Sequence, residues 1–148
     1  PLEDAIELVN ASAQSVDIGG FYLSDGKRDL KKYRIADGTT VAAGGFRVFY
    51  ENQFGSGANG FALSSSRGGV VYLSAADAGG NLTGYRSIFR FGPQVNGVSF
   101  GRLATSVGET SRFRTARPCG LCQCSPTGIR QHVSRSRRRS VGRQFVLQ

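Results

Sequence analysis

The amino-acid sequence predicts an all-β domain built as an antiparallel β-sandwich. Along residues 1–103, short segments alternate apolar and polar residues, as strands with one buried face do. Turn-forming glycine pairs separate several of these segments, and no segment has the apolar period of an amphipathic helix. About eight strands are predicted on this basis, at residues 5–9, 19–25, 31–35, 44–52, 60–64, 68–74, 83–91 and 96–102.

The earliest strands already show which side faces the interior. In "AIELV", Ile6 and Leu8 share one face and Glu7 lies on the other, because successive side chains of a strand point to opposite sides. The polar segment "KKYRI" (31–35) is predicted to be an edge strand, since exposed lysines discourage further strand pairing.

The segment "GGFRVFYEN" also alternates in this way. Its alternation predicts that Phe46, Val48 and Tyr50 face the interior and that Arg47 faces outward. The chain has no Trp, and residues 1–103 have no Cys, so the core must be held by apolar burial alone. The residues predicted to lead that core are Phe21, Tyr22, Phe46, Phe49, Tyr72, Phe89 and Phe100.

Glycine pairs mark the predicted turns. Glycine adopts positive φ without steric cost, which tight turns require. A phosphate-binding loop would instead lead into a helix N-terminus, whereas each pair here leads into a strand or loop. The segments 60–64 and 68–74 are accordingly predicted to form a hairpin through "SSRGG", and the pairs themselves stand at 19–20, 44–45, 68–69 and 79–80.

Charge divides the chain into two parts. Residues 1–103 carry 10 Lys and Arg against 9 Asp and Glu, a net charge of +1, whereas residues 104–148 carry 9 Arg against 1 Glu, a net charge of +8. The apolar residues of the second part show neither strand nor helix periodicity. We therefore predict a β-sandwich domain at 1–104 and an Arg-rich tail of little or no structure at 105–148.

Three interpretations of this tail remain open. It is a disordered arm that binds phosphate, a linker without a specific role, or the product of a reading-frame slip. An Arg-rich composition without Lys favours the slip, because GC-rich DNA read out of frame yields Arg, Ser, Gly, Cys and Pro. If the tail binds polyanions, the candidate residues are Arg135, Arg137, Arg138, Arg139 and Arg143.

Four successive segments resemble the lamin-tail domain family, in its bacterial form. They are "AIELVNASAQSVDIGGFYLSD" (5–25), "IADGTTVAAGGFRVFYEN" (35–52), "GFALSSSRGGVVYLSAADAGGNLTGY" (60–85) and "NGVSFGR" (96–102). The likeness runs in register over residues 5–103. One departure is Phe21, where the family usually has Trp, so that the hydrogen bond of the indole N–H is lost.

The resemblance implies an immunoglobulin-like sandwich without catalytic residues. Bacterial members recur in large secreted or surface proteins, so it also implies an interaction or spacer module with an extracellular or cell-surface location. The chain contains no Met, and we expect it to be a piece of a longer product. The resemblance ends near residue 110, where the composition changes.

The tail also contains the only cysteines and the only histidine of the chain. Cys119, Cys122, Cys124 and His132 have ligand chemistry suited to zinc, but structural zinc sites usually separate two ligand pairs by a longer stretch. We interpret them as chance residues and predict no metal site and no cofactor.

Carboxylates offer the remaining chemistry. Glu3, Asp4 and Glu7 are interpreted as solvated surface charge, and an enzyme that uses them with a metal is the least favoured hypothesis. The segments "DGKRD" (25–29) and "DAGGN" (77–81) carry oxygen ligands and are predicted to be turns, with weak calcium binding as the minor alternative, since neither has the ligand count of a calcium loop.

The sequence thus predicts a non-catalytic interaction or spacer module whose loops or edge strands meet an unknown protein or surface partner. The alternative is nucleic-acid or polyanion binding through the tail. No apolar run is long enough to span a membrane. The triplets "NAS" (10–12) and "NLT" (81–83) are glycosylation sequons, meaningful only in a eukaryotic secretory pathway.

Overall fold

A computed structural model describes residues 3–93, 99–104, 110–115 and 144–147 of the chain. These residues form strands and a single helical turn, so the all-β prediction is confirmed. No helix in this part of the chain combines the length and apolar character needed to cross a membrane. The strands are β1 (Ala5–Val9), β2 (Val16–Asp17), β3 (Tyr22–Ser24), β4 (Tyr33–Arg34), β5 (Thr40–Val41), β6 (Phe46–Tyr50), β7 (Gly69–Ala76), β8 (Leu82–Phe91), β9 (Ser99–Ala104), β10 (Thr110–Thr115) and β11 (Gln144–Leu147), and helix α1 (Glu51–Phe54) follows β6.

The larger sheet has five strands in the order β10, β9, β11, β1 and β6. β1 pairs with β6, and β9 with β10, in antiparallel fashion, whereas β11 is parallel to both β1 and β9. The two parallel pairs differ from the uniformly antiparallel arrangement predicted. Their physical basis is the long connection before β11, because parallel strands need a crossover rather than a tight turn.

The second sheet has four antiparallel strands in the order β4, β3, β7 and β8. β4 lies at its edge, as its lysine-rich sequence predicts. β7 is the central long strand and pairs with β3 on one side and β8 on the other. The two-residue strands β2 and β5 form a small separate ladder, which the sequence analysis did not anticipate.

One apolar core joins the two large sheets. The larger sheet contributes Ile6 and Leu8 of β1 and Phe49 of β6, and Glu7 lies on the other face of β1, as predicted. Of the predicted core aromatics described here, Phe21 and Tyr22 are only half-buried. The remaining buried apolar residues of the core are Ile18, Leu23, Ile35, Val41, Phe54, Phe61, Leu63, Val71, Leu73, Phe89 and Phe91.

Tyr72 is also buried, as predicted, but it lies outside the shared core. Phe89, the remaining prediction of this kind within 3–93, is a core residue. Phe100 belongs to β9, where the structure describes the strand pairing but not the side chain.

The predicted inner face of β6 is wrong. Phe46 and Tyr50 are 47% and 49% exposed, whereas Phe49 is only 3% exposed. The cause is the pairing with β1, in which Phe49 lies opposite Ile6 and Arg47 opposite Leu8. Directly paired residues share a face, so the buried face of β1 determines which residues of β6 point inward.

The predicted strand at 60–64 is also wrong, and the hairpin built on it is absent. Phe61 and Leu63 are buried alternately, but the segment joins no ladder within the described residues. Instead, the backbone N–H of Phe61 donates to the Phe54 carbonyl at 3.1 Å, and the two rings stack with centroids 4.8 Å apart. The alternating pattern therefore reflects a loop folded against helix α1.

The glycine pairs occupy turns, as predicted. Each pair contains one glycine with positive φ: Gly20, Gly44, Gly68 and Gly80. Gly68 is the most constrained, because a Cβ there would meet the Phe91 carbonyl and would lie 2.7 Å from the Gly92 carbonyl carbon. Both the conformation and the space at this turn require glycine.

Strand pairing extends beyond the predicted domain boundary at residue 104. β10 and β11 both derive from the segment 105–148, and β11 lies between β1 and β9 in the larger sheet. Backbone hydrogen bonding explains this insertion, since a strand between two others satisfies its groups on both sides. The arginine-rich stretch 135–143 lies outside the described residues.

Candidate interaction surfaces

The predicted polyanion-binding residues and the cysteine cluster are not among the residues that the structure describes. The same holds for His132. The arginines concerned are Arg135, Arg137, Arg138, Arg139 and Arg143, and the cysteines are Cys119, Cys122 and Cys124.

Two of the three N-terminal acidic residues form hydrogen bonds with helix α1. The Glu3 Oε1 atom accepts a hydrogen bond from the Asn52 N–H at 2.6 Å, where a negative charge is favoured at a helix start. The backbone of Asp4 accepts from the Glu51 N–H at 2.8 Å. Glu7 lies opposite Val48 on the outer face of β1. Their positions explain local structure, since two of the three residues hold the helical turn against β1.

The predicted turn at 25–29 is confirmed. Ser24 is buried and its hydroxyl donates to the carbonyl oxygens of Gly26 and Asp29. The buried Asp25 Oδ1 atom makes no well-aligned hydrogen bond in the described residues, but the Lys32 ammonium lies 2.6 Å away. We attribute its burial to this ion pair.

The predicted turn at 77–81 is also confirmed. The Asp77 carboxylate accepts hydrogen bonds from the Asn81 backbone N–H at 2.8 Å and from the Asn81 side-chain amide at 3.3 Å. These bonds, the backbone one first, hold the pKa of Asp77 below its usual value. Both carboxylate oxygens therefore close the turn between β7 and β8.

The two sequon asparagines have structural partners. The Asn10 side-chain amide donates to the carbonyl oxygens of Gln14, Val41 and Ala42 at 2.7, 3.0 and 3.1 Å. Its oxygen accepts from the Ser12 backbone and hydroxyl. Asn10 therefore fastens the loop after β1 to the end of β5, which explains its presence without any modification.

The outer face of β6 forms what we call the aromatic edge, consisting of Phe46, Val48 and Tyr50. β6 is the last strand of its sheet, and Phe46 and Tyr50 are two of the four exposed large hydrophobic residues in the described chain. Val48 between them is half-buried. Aromatic side chains in such a position are unusual, because edge strands commonly carry charges that prevent association.

The far edge of the second sheet forms what we call the basic edge, consisting of Tyr85, Arg86 and Arg90 on β8. Tyr85 is 60% exposed. Arg86 and Arg90 lie opposite Ser74 and Val70 of β7, and both are exposed. They are on one face of the strand, about 13 Å apart along it. Neither has a carboxylate partner within residues 3–93.

The other edge of this sheet, β4, forms what we call the charged edge, consisting of Lys32 and Arg34. Arg34 binds the Asp37 carboxylate through two hydrogen bonds of 3.1 and 2.6 Å. The pair lowers the pKa of Asp37 and raises the pKa of Arg34. Nearby, the Lys31 ammonium lies 5.8 Å from the centre of the Tyr22 ring.

The charged edge and the aromatic edge meet through their inward side chains. Tyr33 of β4 contacts Phe49 of β6 edge to face, with ring centroids 5.9 Å apart. Burial raises the pKa of the Tyr33 hydroxyl, and the positive charge of Arg47 partly opposes that increase. The two edges therefore lie on the same side of the molecule.

The aromatic edge is not evident from the sequence, because the alternation in β6 predicts that Phe46, Val48 and Tyr50 face the interior. Both faces of "FRVFY" carry an aromatic residue, so counting apolar residues favours the face with three of them. The informative signal lies elsewhere in the chain. Ile6 and Leu8 define the buried face of β1, and only the register of β6 against β1 connects the two patterns.

Comparison of the chain with family models, with curated proteins and with solved structures finds no match. The fold itself identifies the protein as an all-β domain with exposed sheet edges.

Proposed function

We propose that residues 5–103 are a lamin-tail-like, immunoglobulin-like module that acts without catalysis. It binds a partner or spaces neighbouring domains in a larger, exported bacterial protein, outside the cell or at its surface. Two lines of support exist: four segments resemble the lamin-tail family in order, and two sheets share one apolar core. The parent protein and location follow from the resemblance, and fractionating cells that produce the full polypeptide tests them.

The observation that carries the binding role is the basic edge. Two arginines without carboxylate partners in the described residues share one face of the last strand of a sheet, and Tyr85, which is 60% exposed, lies on the opposite face. Tyrosine and arginine are the residue types enriched where proteins bind one another. We therefore expect a polypeptide segment to bind across the exposed side chains of β8.

The charge of the basic edge determines the chemistry of that partner. Arg86 and Arg90 are four residues apart on one face, so an extended segment lying across them would match them with carboxylates at the same spacing. Complementary charge increases the association rate and the specificity of such contacts. The proposed partner is therefore an acidic segment in extended conformation, and salt should weaken its binding.

Binding of a labelled peptide with alternating Glu and Thr, measured by fluorescence anisotropy, tests the proposal. We expect the full chain to bind it and Arg86→Glu/Arg90→Glu to bind at least about tenfold more weakly. The matched control is Lys27→Glu/Arg28→Glu, which makes the same charge change at two exposed residues of a turn. A Lys/Thr peptide controls for the sign of the charge.

The alternative function gives a different outcome. If replacing Arg135, Arg137, Arg138, Arg139 and Arg143 by Gln abolishes binding while Arg86→Glu/Arg90→Glu does not, the tail carries the affinity. That result, or equal losses in the Lys27→Glu/Arg28→Glu control, would overturn the role of the basic edge. Substitution is preferable to truncation at residue 104, because truncation would remove β11 from between β1 and β9.

A further inference from the structure

The open side of β6 presents unpaired backbone groups. The Asn10 N–H donates to the Gly45 carbonyl at 2.9 Å, and the Glu51 N–H donates to the Asp4 carbonyl at 2.8 Å. Hydrogen-bonded pairs alternate along an antiparallel ladder. Residues 45, 47, 49 and 51 therefore direct their backbone groups toward β1, and residues 46, 48 and 50 direct theirs toward the open edge.

Most of these outward groups have no partner within the described residues. The Tyr50 N–H is an exception, because it donates to the Gln53 side-chain oxygen at 2.9 Å. The Tyr50 carbonyl is also engaged, because the carbonyl of an N-cap residue accepts the first hydrogen bond of its helix. The N–H and C=O groups of Phe46 and Val48 remain available on that side. An edge of this kind acts as a template for another strand.

The sequence of β6 is complementary to itself when two copies run antiparallel. With Val48 on a twofold axis, Phe46 lies opposite Tyr50 of the second copy, and Arg47 lies opposite its Phe49. The exposed aromatic residues thus pair with each other, which stabilises antiparallel strands. The two arginines are not placed opposite each other, and the outward backbone groups of Val48 in the two copies meet as a hydrogen-bonded pair.

The two edges of the second sheet do not share this property. If β8 paired with a second β8 around Ile88, Arg86 would lie opposite Arg90 of the other copy. Like charges directly opposite are destabilising. β4 has only two residues, one of which is Arg34, and it directly follows Lys32, and short charged edges resist pairing. Among these three edges, self-pairing is therefore favoured at β6.

We propose that the chain forms a twofold-symmetric homodimer in which β6 pairs antiparallel with β6 of a second copy. The two five-stranded sheets then join edge to edge. This inference stands independently of the acidic partner, because it uses the opposite sheet. The aromatic rings cover roughly 400 Å² when four half-exposed side chains are buried. An interface this small gives a weak dimer, with a dissociation constant of about micromolar to millimolar.

Sedimentation equilibrium of the full chain under reducing conditions tests the proposal, since the thiols must not cross-link. We expect a concentration-dependent monomer–dimer equilibrium. Val48→Pro should abolish it, because the Val48 N–H faces the open edge and proline is tolerated in an edge strand on that side. Near-UV circular dichroism checks that the variant is folded. Tyr85→Lys, at a tyrosine on β8 that is 60% exposed, should leave the dimer intact.

A pair of oppositely charged double variants tests the register between the two β6 strands. This test does not require that the proline variant folds. Phe46→Lys/Tyr50→Lys and Phe46→Glu/Tyr50→Glu should each be monomeric, because like charges lie opposite in the homodimer. Mixed together, they should form a heterodimer in which each Lys meets a Glu. A wild-type chain that stays monomeric, a dimer unaffected in folded Val48→Pro, or a mixture without heterodimers would overturn the proposal.

Discussion

Two edge strands on the same side of the molecule, β4 and β6, differ in length, in charge and in the side chains that they expose to solvent. β4 consists of Tyr33 and Arg34 and directly follows Lys32, and both Lys32 and Arg34 form ion pairs with carboxylates. β6 is five residues long and exposes Phe46 and Tyr50, with Arg47 as its one charged residue. The inner residues of the two strands touch, since Tyr33 and Phe49 pack edge to face.

The difference shows that protection from association belongs to the individual edge rather than to the fold. Both strands bury one aromatic residue in the same region, so their contributions to the core are similar in kind. They differ only in what they present to solvent. Charge and short length close β4 to further pairing, whereas aromatic residues and free backbone groups leave β6 open.

The strongest test of this comparison is which face of β6 stabilises the domain. Phe49→Ala should lower the free energy of unfolding by about 3–5 kcal/mol, because it leaves a cavity beside Ile6. Phe46→Ala should cost less than roughly 1 kcal/mol, since about half of that side chain is already in solvent. Urea denaturation at low protein concentration measures both. If Phe46→Ala lowered the free energy of unfolding more than Phe49→Ala does, Phe46 rather than Phe49 would face the core, as the alternation predicts.

The second test concerns the charged edge. Lys32→Ala should lower stability by roughly 1–3 kcal/mol, because it leaves the buried Asp25 Oδ1 atom without its ammonium partner. Lys27→Ala, at an exposed turn residue, should change stability by less than about 0.5 kcal/mol. Asp25→Ala/Lys32→Ala should recover part of the loss, as a double-mutant cycle of urea denaturation would show. Strict additivity would mean that the pair is not coupled.

These two strands also show which structural features can be predicted from the sequence. The fold class, the edge position of β4 and the buried pair Ile6 and Leu8 follow from local alternation and from lysine placement. The inner face of β6 does not, because both faces of "FRVFY" are apolar enough and only the nonlocal pairing with β1 decides between them. Local patterns determine where strands form, and register determines what they expose.

The same limitation explains the error at 60–64 and the unexpected pairing of β11. Phe61 and Leu63 alternate like strand residues, yet Phe61 stacks on Phe54 of helix α1 and Leu63 belongs to the same core. β11 enters the sheet between β1 and β9 from a segment whose composition suggests little structure. In both cases the deciding contact is with a distant part of the chain, which a single-sequence pattern does not contain.

The contact between the charged edge and the aromatic edge can be tested through the titration of the Tyr33 hydroxyl. Burial raises its pKa, so the native state favours the neutral hydroxyl. The stability that this provides is fully present below the usual tyrosine pKa and is lost as the pH rises through the raised value. We therefore expect stability to decline in the alkaline range, and Tyr33→Phe to reduce that decline. Urea denaturation at several alkaline pH values measures it.

Two variants refine this test. Arg47→Gln should shift the Tyr33 titration to higher pH, because the positive charge of Arg47 partly lowers the pKa. Tyr85→Phe, at a 60% exposed side chain, should leave the alkaline profile as in the wild type. If Arg47→Gln had no influence on the titration, the proximity of the two edges would be in doubt.

The smallest expected effect lies at Asp37, the carboxylate that binds Arg34 at the charged edge. Its pKa is lowered chiefly by the hydrogen bond from Arg34, so the stabilisation exists above the usual aspartate pKa and is lost as the pH falls through the lowered value. Arg34→Gln should return the Asp37 titration, followed by carboxyl NMR, toward its usual range. In the wild type, protonating Asp37 leaves Arg34 positively charged. The charged edge should therefore remain closed to strand pairing in acid, and sedimentation that revealed larger assemblies there would contradict the role assigned to its charges.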